Sequence, residues 1–293
     1  MKLFDLHCDT LSEAYGKKEG LENNTCHIDI SRARSSFSDY TQVFAIWSRH
    51  ESSEDECYER CLKILDYADA EFERNKGVTP IYAVEGAKLL NCDIQRLKLL
   101  KNRNVKILTL VWRGISCIGG AFDNDVGLTT FGKQTVEYCL DHGIVPDLSH
   151  SNDLICEQTL DIATACGGTV IASHSCSRQV FDHPRNISDI IAKRIAEGGG
   201  IIGVNFVSDH LGGKSTDVIL AHIDHLMTVC GRRSVCLGGD LDGMDNDALP
   251  DEIKNIADVS ILFDALSKKY RSESLAEDIL YSNAHNFAKR CLF

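Results

Sequence analysis

The stretch Lys2-Leu3-Phe4-Asp5-Leu6-His7-Cys8-Asp9 decides how the rest of the chain is read. Residues 2–6 form an apolar run of strand character, and His7 and Asp9 follow it two positions apart. Side chains alternate along an extended strand, so residues at i and i+2 point the same way and can share one metal ion. Seven more short, β-branched runs follow, at 42–47, 80–84, 105–111, 144–148, 169–172, 201–206 and 235–237. Between them lie amphipathic stretches at 51–75, 132–142, 152–165, 187–197, 217–230 and 253–268. In the first of these Tyr58, Leu62, Leu65, Ala68 and Phe72 recur at helical steps of three and four. Residues 10–40 read as a long, partly irregular excursion.

Alternating strands and helices predict parallel β-α units. The chain has only four prolines and no low-complexity linker, which predicts a single domain over 1–293. Eight such units in a linkerless chain of this size favour an α/β fold of the (β/α)8 or TIM barrel type over an open doubly wound sheet.

The composition is that of an ordinary globular protein, with 43% hydrophobic and 25% charged residues, which excludes disordered and fibrous classes. A net charge of −12 without a basic patch argues against nucleic acid and anionic membranes as partners. No apolar run approaches the roughly 18 residues of a membrane span. Thirteen cysteines occur without any Cys-x-x-Cys, and the closest pair, Cys57 and Cys61, is one helical turn apart. With no cleavable signal peptide at Met1-Lys2-Leu3-Phe4-Asp5, they are expected to be reduced thiols in the cytoplasm.

Metal-binding residue types recur at the ends of the runs. Glu85 ends the third, His150 the fifth, His174 the sixth and Asp240 the eighth, in addition to His7 and Asp9 after the first. In a barrel these ends converge on the face where active sites are built. One strand-end histidine is more often a hydrogen-bonded structural residue than a ligand, and a strand-end aspartate commonly caps a helix. Six at the same end are harder to explain that way. Three imidazoles and three carboxylates suit zinc, and a carboxylate can bridge two ions about 3.5–4 Å apart, which points to a two-metal hydrolytic site. His27-Ile28-Asp29 has the same spacing as His7-Cys8-Asp9 but follows no convincing strand. His50, His142, His210, His222, His225 and His285 read as surface or packing residues.

Several blocks resemble the signatures of the membrane (renal) dipeptidase family of zinc peptidases, in the amidohydrolase-like superfamily. They are Asp5-Leu6-His7-Cys8-Asp9-Thr10, Val84-Glu85-Gly86-Ala87, Gly127-Leu128-Thr129 with Phe131-Gly132, and Asp147-Leu148-Ser149-His150. Ala172-Ser173-His174-Ser175, His183-Pro184-Arg185-Asn186 and Gly239-Asp240-Leu241-Asp242-Gly243 follow in the family's order, with a weaker Ser282-Asn283 near the end. The resemblance implies a barrel of metal-dependent hydrolase type and a metallopeptidase that hydrolyses dipeptides with a free C-terminal carboxylate through a metal-bridging hydroxide.

It implies two zinc ions per chain, one held by His7, Asp9 and Glu85 and the other by Glu85, His150 and His174, with Glu85 bridging. Asp240 would be the acid/base residue, Asp242 a neighbour without a role, and Arg185 the group that grips the substrate carboxylate. Family members are often dimeric, so a homodimer is a candidate assembly. One departure concerns Trp112 and Arg113. Many members carry a Thr-His pair after strand 4 whose imidazole steadies the oxyanion; here Val111-Trp112 stands in its place, followed by Arg113. The indole offers a single neutral donor. The alternatives are therefore a binuclear hydrolase of another small amide, ester or lactone, and a non-catalytic relative that keeps the metal. The loop 115–126 also departs from the family pattern.

Overall fold

The computed structural model describes residues 1–293. Seven strands form one parallel sheet: β1 (Lys2–Cys8), β2 (Asp39–Trp47), β3 (Thr79–Glu85), β4 (Val105–Thr109), β5 (Val145–Asp147), β6 (Ile202–Val204) and β7 (Val235–Leu237). Their order is β5-β4-β3-β2-β1-β7-β6, a curled sheet with helices in the connections. The expected sixth strand, at 169–172, does not form a ladder. It makes single parallel bridges, Ile171 to Asp147 on one side and Ala172 to Ile202 on the other. β5 and β6 have only three residues each, which leaves little ladder to join.

Strand parity explains how the sheet carries its load. On β3, Ile81 and Ala83 pack in an inner apolar cluster with Val43 and Ala45 of β2, whereas Tyr82 and Val84 pack in the larger cluster under the helices. Glu85 continues the inner row and ends it. Trp47 does the same on β2 and Asp147 on β5, above Val145. The row of polar residues is thus the last step of an alternation whose earlier steps are core. β1 departs from it. Its register with β2 shifts between Asp5 and Cys8, an irregularity that re-aims the strand end, so Phe4 and Leu6 stay in the inner cluster while His7 turns to the polar rim.

The helices follow their sequence signals. Glu54–Arg74 opens on a capping box between Ser53 and Glu56 and buries Cys57, Cys61, Ile64, Leu65 and Ala68. Thr129 and Asn152 cap the helices Thr130–His142 and Asp153–Cys166. The excursion at 10–40 holds two short helices, Thr10–Lys17 and Ile30–Ser36, that periodicity alone did not announce. Long-range carboxylates hold it in place. Glu71 accepts the Leu21 backbone N–H at 2.7 Å, and Asp242 accepts the Thr10 hydroxyl and the His27 N–H, both at 2.6 Å. Asp242 and the decoy His27 therefore have a structural task, since the His27 ring nitrogen in turn meets the Asp242 N–H at 2.9 Å.

A second clamp joins β1 to its neighbours. Buried Asp5 accepts the backbone N–H of His7 at 2.9 Å, the Gln42 side-chain amide at 3.2 Å and the Gly239 N–H at 2.9 Å. Replacing it leaves two buried N–H groups without acceptors, at about 1–3 kcal/mol each. Asp5→Ala is expected to lose about 3 kcal/mol in urea unfolding of the metal-free protein, and a loss under about 0.5 kcal/mol would show that the clamp is dispensable.

Candidate metal centre

His7, Asp9, Glu85, His174 and Asp240 are all buried and converge at the carboxyl ends of the strands, with His150 beside them. Glu85 is the hub. Its Oε1 lies 2.8 Å from His150 Nε2, 3.3 Å from His174 Nε2 and 3.7 Å from His7 Nε2. His7 Nε2 is also 3.7 Å from Asp9 Oδ2 and 3.6 Å from Asp240 Oδ1. Those separations are too long for hydrogen bonds, and His7 Nε2 and Asp9 Oδ1 are buried without a partner. They match the spacing of donors around one ion, since zinc bonds of about 2.0–2.2 Å put tetrahedral ligands about 3.4 Å apart. The residues therefore fit a metal: groups His7-Glu85-His174 and His7-Asp9-Asp240 each cluster closely enough to hold one. Asp240, expected as an acid/base residue, is thus also within reach of a ligand position.

The tautomer of His174 is set from behind. Ser173 donates its hydroxyl proton to Asp147 at 2.6 Å, so the Nδ1–H of His174 must be the donor to Ser173 Oγ at 2.7 Å. Nε2 then presents a lone pair to the centre. Asp147, itself buried, also accepts the Thr109 hydroxyl at 2.6 Å and the backbone N–H groups of Ser149 and Ser173 at 3.1 and 2.8 Å. Two centre residues also hold unusual backbone, His150 at φ 66° and Asp240 at φ 61°, conformations that non-glycine residues adopt at a cost. Gly243 closes the turn after Asp240, because a side chain there would run into the carboxylates of Asp240 and Asp9.

The electrostatics are those of a cation site. Burial raises the pKa of Asp9 to about 7, with repulsion from Glu85 adding to it, and burial also raises that of Asp240, with Glu85 and Asp9 adding to it. Burial opposes charge on Glu85 as well, but His7, His150 and His174 around it win and hold its carboxyl well below the usual range. Burial lowers His150 to about 4, and burial followed by the nearby charges of His7 and Arg185 lowers His174. His150 and His174 are thus kept neutral, as a divalent ion requires, whereas at His7 burial opposes charge but Glu85, Asp9 and Asp240 prevail and raise its pKa well above the usual range, so a bound ion would displace the proton of that ring.

The centre lies in a cavity of about 670 Å³. Arg185 lines it, 4% exposed, donating to Ser175 Oγ at 3.2 Å and to the His174 carbonyl at 3.0 Å, with no carboxylate partner and its Nε unsatisfied. Trp112 also lines the wall, its ring 6.0 Å from that of His150, while Arg113 is exposed, with its Nε 3.8 Å from Asp123. His210 corrects the sequence reading. It was expected away from the rim, but the short helix Ser208–Leu211 after β6 brings it to the cavity wall, where Asn205 donates to its Nδ1 at 3.2 Å and leaves its other ring nitrogen free to donate. Trp47, Arg49, Arg60 and Phe122 line the cavity too and were not read as site residues. For Trp47 the signal was available, as the inner-parity residue ending a strand.

Residues 58–290 match the model of the membrane dipeptidase family, peptidase family M19, and the chain belongs to that family. An uncharacterised dipeptidase of Schizosaccharomyces pombe is 33% identical over 162 residues, covering 54% of this chain and 38% of that protein. Rat dipeptidase 3 is 30% identical over 233 residues, covering 76% of this chain and 46% of that protein. The chain spans about half or less of the length of these curated relatives. Among solved structures, a family M19 metallo peptidase, dipeptidase AC, superposes with a TM-score of 0.90 at 21% identity, covering 100% of this chain and 99% of that one. A metallo peptidase of Rhodobacter sphaeroides, liganded with a phosphinate mimic of L-Ala-D-Ala, gives 0.85 at 22% identity with 99% of both chains covered. The fold is shared with both.

Ser173 has no contact with the cavity, so its effect runs through His174. Ser173→Ala is expected to weaken zinc affinity about 10- to 100-fold in competition with a chromophoric chelator. Unchanged affinity would show that the hydroxyl does not orient the imidazole.

Proposed function

We propose that the protein is a zinc-dependent dipeptidase with two ions per chain, Glu85 lying between them, His7 and Asp9 on one and His150 and His174 on the other. The observation that carries this reading is the pairing, in one cavity, of the Glu85 hub with an unpaired, buried Arg185. When bound, such ions supply Lewis acidity and a water deprotonated near neutral pH. The chain's own residues do the rest. The guanidinium of Arg185 has donors to spare for a substrate carboxylate, and its planar fork suits that group. Asp240, between the metal ligands and the open cavity, would carry a proton to the departing amine nitrogen. Trp47, Trp112 and Phe122 restrict water around the scissile bond.

The same proposal extends to the fold and setting. The bridges made by Ile171 and Ala172 to both outer strands support closure into an eight-membered (β/α)8 barrel, taken as one catalytic domain over 1–293. No helix is long and apolar enough to cross a membrane. A cytosolic location is proposed from thirteen cysteines that are all free thiols, and a homodimer from the habit of the family. A second reading keeps the centre and changes the substrate to another small amide, ester or lactone. Trp112 favours it, since the indole brings no imidazole to the carbonyl oxygen; His210 is the nearby ring that could donate instead.

Zinc-loaded protein offered L-L and L-D dipeptides should hydrolyse them, with kcat/KM falling about 100-fold or more on C-terminal amidation. Turnover indifferent to amidation would remove the role of Arg185, and turnover of esters or lactones alone would establish the second reading. Asp240→Asn, assayed at the same zinc occupancy as the parent, is expected to lower kcat by about 100- to 10,000-fold. A kcat within a few-fold of the parent would assign the proton transfer elsewhere.

A further inference from the structure

The cavity has a second cationic wall. Arg49, just past the end of β2, and Arg60, on the helix Glu54–Arg74, both line it, on the side opposite in chain order to the Arg185 segment. In a chain with 43 acidic and 31 basic residues, an arginine finds a carboxylate easily. Neither of these forms an ion pair. Arg60 lies over the ring of Tyr15 at 5.3 Å and donates one bond, from Nη2 to the Ser12 carbonyl at 3.1 Å, while its Nε is buried without an acceptor. The two guanidinium groups are close enough that Arg49, after burial itself, disfavours charge on Arg60. Trp47 on the same wall adds an indole N–H that is likewise buried and unpartnered.

The acids that line the same cavity are already committed. Glu13 pairs with Lys17 at 3.3 Å, and Asp242 is taken by Thr10 and His27. Asp9, Glu85 and Asp240 belong to the metal centre. The guanidinium of Arg60 and the indole of Trp47, each with a buried donor that lacks an acceptor, together with the exposed Arg49 on the same wall, describe a site for an anion that the chain does not itself provide.

The sheet order says which part of a substrate would meet it. The 169–172 segment that leads to His174 bridges β5 and β6, so it lies four places from β2 in either direction round the sheet, and the His174 side faces the Trp47 end of β2 across the metal centre. Arg185 is fastened to His174 and Ser175, and His210 after β6 stands on the same cavity. A dipeptide with its C-terminal carboxylate at Arg185 and its scissile bond at the metals directs its first residue away from Arg185.

We infer that Arg60, with Arg49 and the Trp47 indole, forms a subsite for a carboxylate on the side chain of the substrate's first residue, so that the preferred substrates are dipeptides beginning with Glu or Asp. The inference rests on the dipeptidase reading and deepens it. Arg60 is a specificity residue here, acting on the side chain and not on the reacting bond.

The test compares Glu-Ala with Gln-Ala, which differ by the charge alone, on the zinc-loaded protein. The parent should favour Glu-Ala by about tenfold or more in kcat/KM, chiefly through KM, as expected for a charge-assisted hydrogen bond. In Arg60→Met, which keeps an apolar stem against Tyr15, that ratio should fall to near one, and Arg60→Lys should restore part of it. A parent ratio near one overturns the inference while leaving the dipeptidase reading standing. Equal losses on both substrates in Arg60→Met also overturn it, by showing that Arg60 only packs. If no dipeptide is hydrolysed the dipeptidase reading fails, and calorimetric binding of reduced-amide mimics of Glu-Ala and Gln-Ala still decides the subsite: tenfold tighter binding of the acidic mimic upholds it, and equal affinity rejects it.

Discussion

One carboxylate oxygen, Glu85 Oε1, draws three imidazole nitrogens to within 3.7 Å in a buried setting, and the rest of the rim is arranged around that cluster. Burying a carboxylate is costly unless it is paired and hydrogen-bonded. Here the pairing is with rings that are themselves desolvated, beside two further carboxylates, Asp9 and Asp240. Without a cation, burial and mutual repulsion make Asp9 and Asp240 hold their protons more tightly than free carboxyls do. With one, the same groups become mutually stabilising. The centre therefore couples metal binding to the stability of the strand ends that carry it.

Two aspartates behind the centre make the coupling mechanical. Asp5 ties the start of the His7 segment to β2 and to the turn after β7, and Asp147 ties the His174 segment to β4 and β5. Both are buried; Asp5 accepts from two backbone N–H groups and the Gln42 amide, and Asp147 from two backbone N–H groups and two hydroxyls. They hold ligand-bearing turns that are irregular by necessity, including positive φ at His150 and Asp240. An open rim with strained residues needs such clamps to keep donor atoms within a few tenths of an ångström.

Much of this was legible in the sequence because it follows from strand parity. The runs at 80–84 and 144–148 announce both the core residues Ile81, Ala83 and Val145 and the polar groups that finish their rows. The family blocks then assign His7, Asp9, Glu85, His150, His174, Asp240 and Arg185, and the structure brings all seven to one cavity or its floor. What could not be read depends on contacts between distant segments. Residues 10–40 looked irregular because their short helices are held by Glu71 and Asp242 and not by their own periodicity. His210 reads as a surface or packing residue, and Arg60 is not singled out at all, because nothing local marks the helices that carry them as cavity walls. The run at 169–172 has strand composition, but its partners are three-residue strands and its continuation is taken over by Asp147.

The proposed sharing of Glu85 between two ions is tested most directly by anomalous X-ray scattering at the zinc edge from crystals of the zinc-loaded protein. Two peaks of comparable height are expected on either side of the Glu85 carboxylate, one in contact with His7 and Asp9 and the other with His150 and His174. A single peak that leaves Glu85 bound on one side only, or no peak in this cavity, would contradict it.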